Sequence, residues 1–91
     1  MQQYPDPTDI EMERLRSRIA LARARMAEAD RALAERWQVM LACETPSADH
    51  AYRLARDDLT RVREAVADLE SALGRLLLER EAGAFSGTIP A

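Results

Sequence analysis

Residues 41–49 read Leu-Ala-Cys-Glu-Thr-Pro-Ser-Ala-Asp and contain a proline that stands far from any other in the chain. Thr45 followed by Pro46 is typical of a helix start, because threonine caps free N–H groups and proline has no N–H to leave unpaired. Asp49 falls in the new first turn, where the helix dipole favours a negative charge. The stretch therefore predicts a turn near residues 44–45 with a helix on either side. A turn this short makes the two helices antiparallel.

Long stretches without helix breakers lie on both sides of this turn. No Gly or Pro occurs between Thr8 and Cys43, and strong helix formers such as Ala, Arg, Leu and Glu dominate there. Thr8 and Glu11 match a capping box at the start of the first helix, and Gly83 is a natural stop for the second. The predicted organisation is a flexible arm over 1–7, a helix over 8–43, a turn near 44–45, a helix over 46–82 and a flexible tail over 83–91.

Apolar residues recur on both predicted helices at alternating steps of three and four, with one shift at Trp37. On the first helix they are Met12, Leu15, Ile19, Ala22, Met26, Ala29, Leu33, Trp37 and Met40. On the second they are Ala48, Tyr52, Ala55, Leu59, Val62, Val66, Leu69, Leu73 and Leu76. We call these two stripes the seam. Their spacing is that of a coiled coil and predicts an all-α fold, an antiparallel two-helix hairpin.

The facing layers of the seam can be paired directly from the sequence. They run from Met12–Leu76 to Met40–Ala48, and the two residue numbers add to 88 in every layer except Trp37–Tyr52. Two helices leave each such layer open on two sides. We therefore expect the hairpin to assemble into a four-helix bundle or to dock on a helical partner.

Five arginines follow one another between Arg14 and Arg25 without an acid between them. In the hairpin, Glu70 can pair with Arg16 and Arg23 on one edge of the seam. Arg18 and Arg25 fall on the other edge beside small residues, with Asp58 and Glu79 as the nearest acids. We predict a partner-binding surface there and call it the arginine–alanine edge; its residues are Arg18, Arg25, Ala32, Val39, Ala65 and Ala72. The competing interpretation is a solvated helix surface.

Small residues also line the outer faces of both helices, where a second helix could approach closely. On the first helix they are Ala20, Ala24, Ala27 and Ala34, followed by Leu41; on the second they are Thr60, Ala67, Ser71 and Gly74. Alanine as a plain helix former explains the same pattern. In the C-terminal tail, Phe85 and Ile89 stand alone among Gly, Ser, Thr and Pro. They are either unordered or the anchor of a short peptide bound by a partner.

The sequence offers no candidate catalytic or metal-binding residues, and we expect no cofactor. His50 is the only histidine, and a metal site needs three or four converging ligands. Cys43 is the only cysteine; it excludes an internal disulfide, and we interpret it as a small apolar residue that closes the seam. A two-helix hairpin presents convex surfaces, whereas catalytic groups need a pocket.

Composition narrows the function further. Net charge is -3 and aromatic residues make up 4% of the chain, which argues against a basic field or a base-stacking platform. We expect a non-enzymatic cytoplasmic coiled-coil interaction, adaptor or assembly protein, without membrane attachment, whose partner is protein: a homodimer or a hetero-complex with a larger helical protein. The alternatives are a nucleic-acid-binding module that uses the Arg14–Arg25 edge, and a structural subunit of a secretion or phage assembly.

Overall fold

The computed structural model describes residues 6–88, with side chains through residue 83, and shows two helices. Helix α1 spans Pro7–Ala42 and helix α2 spans Pro46–Thr88. They lie antiparallel and pack along their length, giving a body of 71 × 29 × 13 Å. The predicted all-α helical hairpin is confirmed. Its assembly with further helices stays a prediction.

The start of α1 differs from the predicted capping box. The cap is Asp6 rather than Thr8: the Asp6 side chain accepts a hydrogen bond of 2.9 Å from the backbone N–H of Thr8. Pro7 occupies the first helical position, where its fixed φ angle suits the helix and its missing N–H costs no hydrogen bond. The sequence Asp-Pro therefore starts the helix one residue earlier than predicted.

The turn between the helices is confirmed near its predicted position and occupies residues 43–45. Cys43 leaves the helical conformation but still donates its backbone N–H to the carbonyl of Val39 at 2.8 Å. Thr45 caps α2 as predicted, because its hydroxyl oxygen accepts a hydrogen bond of 3.1 Å from the N–H of Ala48. Cys43 is exposed and free, so its interpretation as an apolar residue closing the seam is wrong.

Burial follows the predicted seam. Within residues 6–83, the buried core consists of seam residues only: Met12, Leu15, Ile19, Ala29, Ala48, Leu59 and Val66. Every other seam residue is partly buried except Trp37, whose ring lies 5.3 Å from that of Tyr52 between centroids. The Trp37–Tyr52 contact confirms the layer at which the predicted spacing shifts by one residue.

Helix α2 continues beyond its predicted end at residue 82. Gly83 has a helical backbone and lies beside Asp6 and Thr8, and the helix runs on to Thr88. Glycine costs only about 1 kcal/mol in a helix relative to alanine, so the helix already formed carries through it. Residues 1–5 of the arm predicted over 1–7, Ile89 and the Phe85 side chain lie outside the described residues.

Candidate protein-interaction edge

The two edges of the seam differ in how their charges are paired. On one edge, Arg23 donates to Glu70 at 2.6 Å across the helices, and Arg63 donates to Asp30 at 3.4 Å. Asp30 lies one heptad after Arg23, and Arg63 lies one heptad before Glu70, as antiparallel packing requires. We call this side the ion-paired edge. Its two central arginines, Arg23 and Arg63, are neutralised by carboxylates of the other helix.

The predicted pairing of Glu70 on this edge is confirmed for one of its two arginines. Arg23 bonds to Glu70 through both Nε and Nη2. Arg16 lines the same groove as Glu70 but forms no ion pair within the described residues. A further cross-helix pair, which sequence analysis did not identify, joins Arg80 to Asp9 at 2.6 Å near the start of α1.

The opposite side of the hairpin carries the arginine–alanine edge. Arg18 and Ala72 line one shallow groove between α1 and α2, and Arg25 and Ala65 line the next. The structure thus brings together the two arginines and the two alanines that sequence analysis placed side by side. Both arginines are exposed, and among the described side chains neither lies within 4.0 Å of a carboxylate.

Carboxylates nevertheless line both grooves on this edge. Glu79 lies in the groove of Arg18, and Asp58 lies in the groove of Arg25. Asp58 forms no ion pair within the described part of the chain, although Arg25 and Arg61 share its groove. The edge therefore presents charges of both signs that the hairpin leaves unpaired.

The remaining two predicted residues extend the edge toward the turn. Ala32 and Val39 are both exposed, Val39 at 46%. Beneath the groove of Arg25, the seam residues Ala22 and Val62 are only partly covered. A side chain from a partner would therefore meet the open flank of the seam there.

Two large apolar residues beside this edge escaped the sequence analysis. Leu21 is 56% exposed and Leu54 is 54% exposed. Leu21 precedes Arg25 by four residues and Leu54 precedes Asp58 by four residues, so each lies on the same side of its helix as the following charge. Both residues belong to a second heptad stripe next to the seam. Following apolar residues along the seam alone does not detect this second stripe.

The five arginines of the predicted Arg14–Arg25 edge do not form one surface. Arg16 and Arg23 line a groove on the ion-paired edge, whereas Arg18 and Arg25 line grooves on the arginine–alanine edge. Arg23 is also occupied by Glu70. The cationic field is thus divided between two opposite sides of the hairpin.

Other chemistry is sparse in the part of the chain that the structure describes. His50 is exposed on α2. Residues 6–88 contain no group of three His, Cys, Asp or Glu side chains placed to hold a metal ion. Neither described helix has a stretch long and apolar enough to cross a membrane.

Comparison with known proteins identified no relative of this chain. The chain matches no protein-family model, no curated protein and no solved structure.

Proposed function

We propose that this chain is a non-enzymatic coiled-coil interaction protein, an adaptor or assembly element that works through protein–protein contacts in the cytoplasm. The partner it fits is a helical surface that carries carboxylates beside apolar residues. The arginine–alanine edge is the contact surface.

The observation that carries this proposal is the amount of surface left exposed. The chain exposes 7373 Å². A compact monomer of 10.2 kDa exposes about 5,300 Å². The excess of roughly 2,000 Å² is more than the roughly 800 Å² that each partner buries in a standard protein interface. A binding partner would cover surface that the hairpin itself cannot bury.

The arginine–alanine edge supports the location of the contact. Arg18 and Arg25 present planar guanidinium groups that bind carboxylates with two parallel hydrogen bonds. Ala65 and Ala72 opposite them are small enough to let a second helix approach. Arginine is enriched among the residues that dominate binding energy at protein interfaces. The ion-paired edge offers less, since its central charges are already satisfied.

Affinity capture from the native host tests the proposal. Wild-type chain, the Arg18→Glu/Arg25→Glu variant and a control Arg31→Glu/Arg53→Glu variant serve as parallel baits. The control makes the same change in net charge at exposed residues away from the edge. We expect a defined partner, or additional copies of the chain, with wild type and control only. Equal recovery by all three baits would contradict the assignment of the edge.

Nucleic-acid binding is the competing proposal, and the same variants distinguish it. Phosphate contacts make binding fall steeply with salt, because each contact releases counterions. Salt-dependent gel shifts with RNA or DNA that disappear in Arg18→Glu/Arg25→Glu would replace the protein-interaction proposal. The division of the arginines between two sides of the hairpin and the net charge of -3 argue against this outcome.

A further inference from the structure

We infer that the partner of the arginine–alanine edge is a second copy of this chain, packed antiparallel so that α1 lies on α1 and α2 lies on α2. This inference rests on the proposed function and names the partner of the same edge. It follows from the exposed and unpaired residues beside the seam, which match one another at a single alignment.

The residues that carry the match form a second heptad stripe on each helix. Steps of four and three join Leu21, Arg25, Glu28, Ala32, Glu35 and Val39 on α1. On α2 the same steps join Ala51, Leu54, Asp58, Arg61, Ala65 and Asp68. Residues at these spacings share one side of a helix. Most are exposed, and the four charges that matter below form no ion pair within the described residues: Arg25, Glu35, Asp58 and Arg61.

Antiparallel packing of α1 on its copy matches this stripe with itself. When Arg25 meets Glu35 of the second copy, Leu21 meets Val39 of the second copy. The first contact joins opposite charges, and the second joins two exposed apolar side chains, 56% and 46% exposed in the single hairpin. Symmetry repeats both contacts, as a two-fold interface requires.

Helix α2 gives an equally favourable match at the same alignment. Asp58 then meets Arg61 of the second copy, and the exposed Leu54 meets Ala65 of the second copy. The midpoint of the α1 contacts is residue 30, and the midpoint of the α2 contacts lies between residues 59 and 60. Ala29 and Leu59 form one predicted layer of the seam, and both are buried. The two midpoints lie on either side of this layer and about 2 Å apart along the hairpin, so a single two-fold axis close to the layer serves both helices.

Charge and apolar contact together favour this alignment over its two neighbours. Sliding the second copy by one heptad in one direction keeps Arg25 against a glutamate, Glu28, but brings Asp58 against Asp68 of the other chain, and like charges facing each other oppose association. Sliding it in the other direction brings Leu54 against Asp58, which replaces an apolar contact with a buried charge. At the inferred alignment the facing pairs are opposite in charge, apolar, or charged against alanine. Complementarity of this kind fixes the register of an interface as well as its affinity.

Mixing two charge-reversed variants tests the inference. Arg25→Glu alone places a glutamate against Glu35 at both contacts, and Glu35→Arg alone places an arginine against Arg25. We expect each single variant to raise the dimer dissociation constant on the order of a hundredfold. An equimolar mixture should restore association, because the glutamate introduced in one chain then faces the arginine introduced in the other. The two positions are ten residues apart on one helix, about 15 Å, so they cannot rescue each other within a chain.

Sedimentation or light scattering measures association, and circular dichroism shows that each variant retains its helices. A control pair of Asp30→Arg and Arg63→Asp reverses charges on the ion-paired edge, and mixing these two should not change their association. A wild-type chain that stays monomeric at about 100 μM, or single variants that dimerise like wild type, would overturn the inference.

A cysteine experiment provides a second readout that does not depend on charge. In a Cys43→Ser background, Leu21→Cys mixed with Val39→Cys should give disulfide-linked dimers, whereas Leu21→Cys alone should not. Cross-linking of Leu21→Cys to itself would overturn the alignment. If wild type is monomeric and yet the host partner is lost with Arg18→Glu/Arg25→Glu, this inference fails while the proposed function stands. If wild type is monomeric and Arg18→Glu/Arg25→Glu still retains the host partner, both this inference and the assignment of the edge in the proposed function fail.

Discussion

Trp37 packs against Tyr52 across the two helices, with ring centroids 5.3 Å apart and ring planes tilted by 51°. This tilted geometry is one that aromatic pairs prefer over direct face-to-face stacking. The pair lies where the seam shifts by one residue, and Trp37 is 42% exposed as a result. The aromatic contact therefore compensates for a layer that the regular spacing leaves imperfectly filled.

We predict that the Trp37–Tyr52 contact stabilises the hairpin beyond the burial of either ring. A double-mutant cycle with Trp37→Ala, Tyr52→Ala and both together should give a coupling free energy of about 0.5–1.5 kcal/mol, the range for aromatic pairs. Urea unfolding followed by circular dichroism measures it. Additive effects of the two substitutions would mean that the rings make independent contacts.

The central layer of the seam supplies a stronger prediction. Leu59 is 3% exposed, and Leu59→Asp places a charge where nothing in the buried core can compensate it. We expect the free energy of unfolding to fall by more than about 3 kcal/mol. Thr60→Asp introduces the same charge at the neighbouring exposed residue and should change the free energy by less than about 0.5 kcal/mol. Similar thermal melts for the two variants would contradict the position of Leu59 in the core.

The fold was largely predictable because helix periodicity is a strong physical signal. Among the residues whose burial the structure describes, every buried one belongs to the seam predicted from steps of three and four. The Thr45 cap was also predictable. The threonine hydroxyl accepts a hydrogen bond from a free N–H of the first turn, and the proline that follows has no N–H to leave unpaired. Two helix ends were predicted wrongly, at Thr8 and Gly83. At the first helix, Thr8 was taken as the cap, but Pro7 begins the helix and Asp6 caps it. At the second helix, Gly83 was taken as the end, but the helix already formed continues through this glycine.

The candidate edge was only partly predictable. Placing Arg23 opposite Glu70 required nothing more than antiparallel geometry, and the structure shows that ion pair. The exposure of Leu21 and Leu54 depends on how far each helix rotates about the seam. A sequence stripe does not fix that rotation, so these two residues became visible only with the packed helices.

Gly74 lines the groove of Arg16 and Glu70 on the ion-paired edge, and its substitution distinguishes a close helix–helix contact from simple helix propensity. A methyl group added at Gly74 meets no atom within 4 Å. Gly74→Ala should therefore raise the free energy of unfolding by about 0.5–1 kcal/mol, because glycine is unfavourable inside a helix.

Ala67→Gly, one heptad earlier and exposed, is the matched reverse substitution and should lower the free energy of unfolding by a similar amount. Chemical denaturation of both variants measures the effects. Weakened association of Gly74→Ala, in place of a stabilised chain, would assign the interface to the small residues around Gly74 instead of the arginine–alanine edge.

The C-terminal turns of α2 should contribute little to the stability of the hairpin. The last seam layer is Met12–Leu76, and the last described ion pair between the helices joins Asp9 to Arg80. A chain that ends at Ala82 keeps both contacts, so we expect its thermal midpoint to lie within about 2 °C of the full-length value. The helical circular dichroism signal should fall only by the share of the removed residues.

A fall in the thermal midpoint of about 8 °C or more, equivalent to more than about 1 kcal/mol, would show that residues 83–91 pack on the hairpin. An unchanged midpoint with loss of a bound partner would favour the predicted anchor role of Phe85 and Ile89.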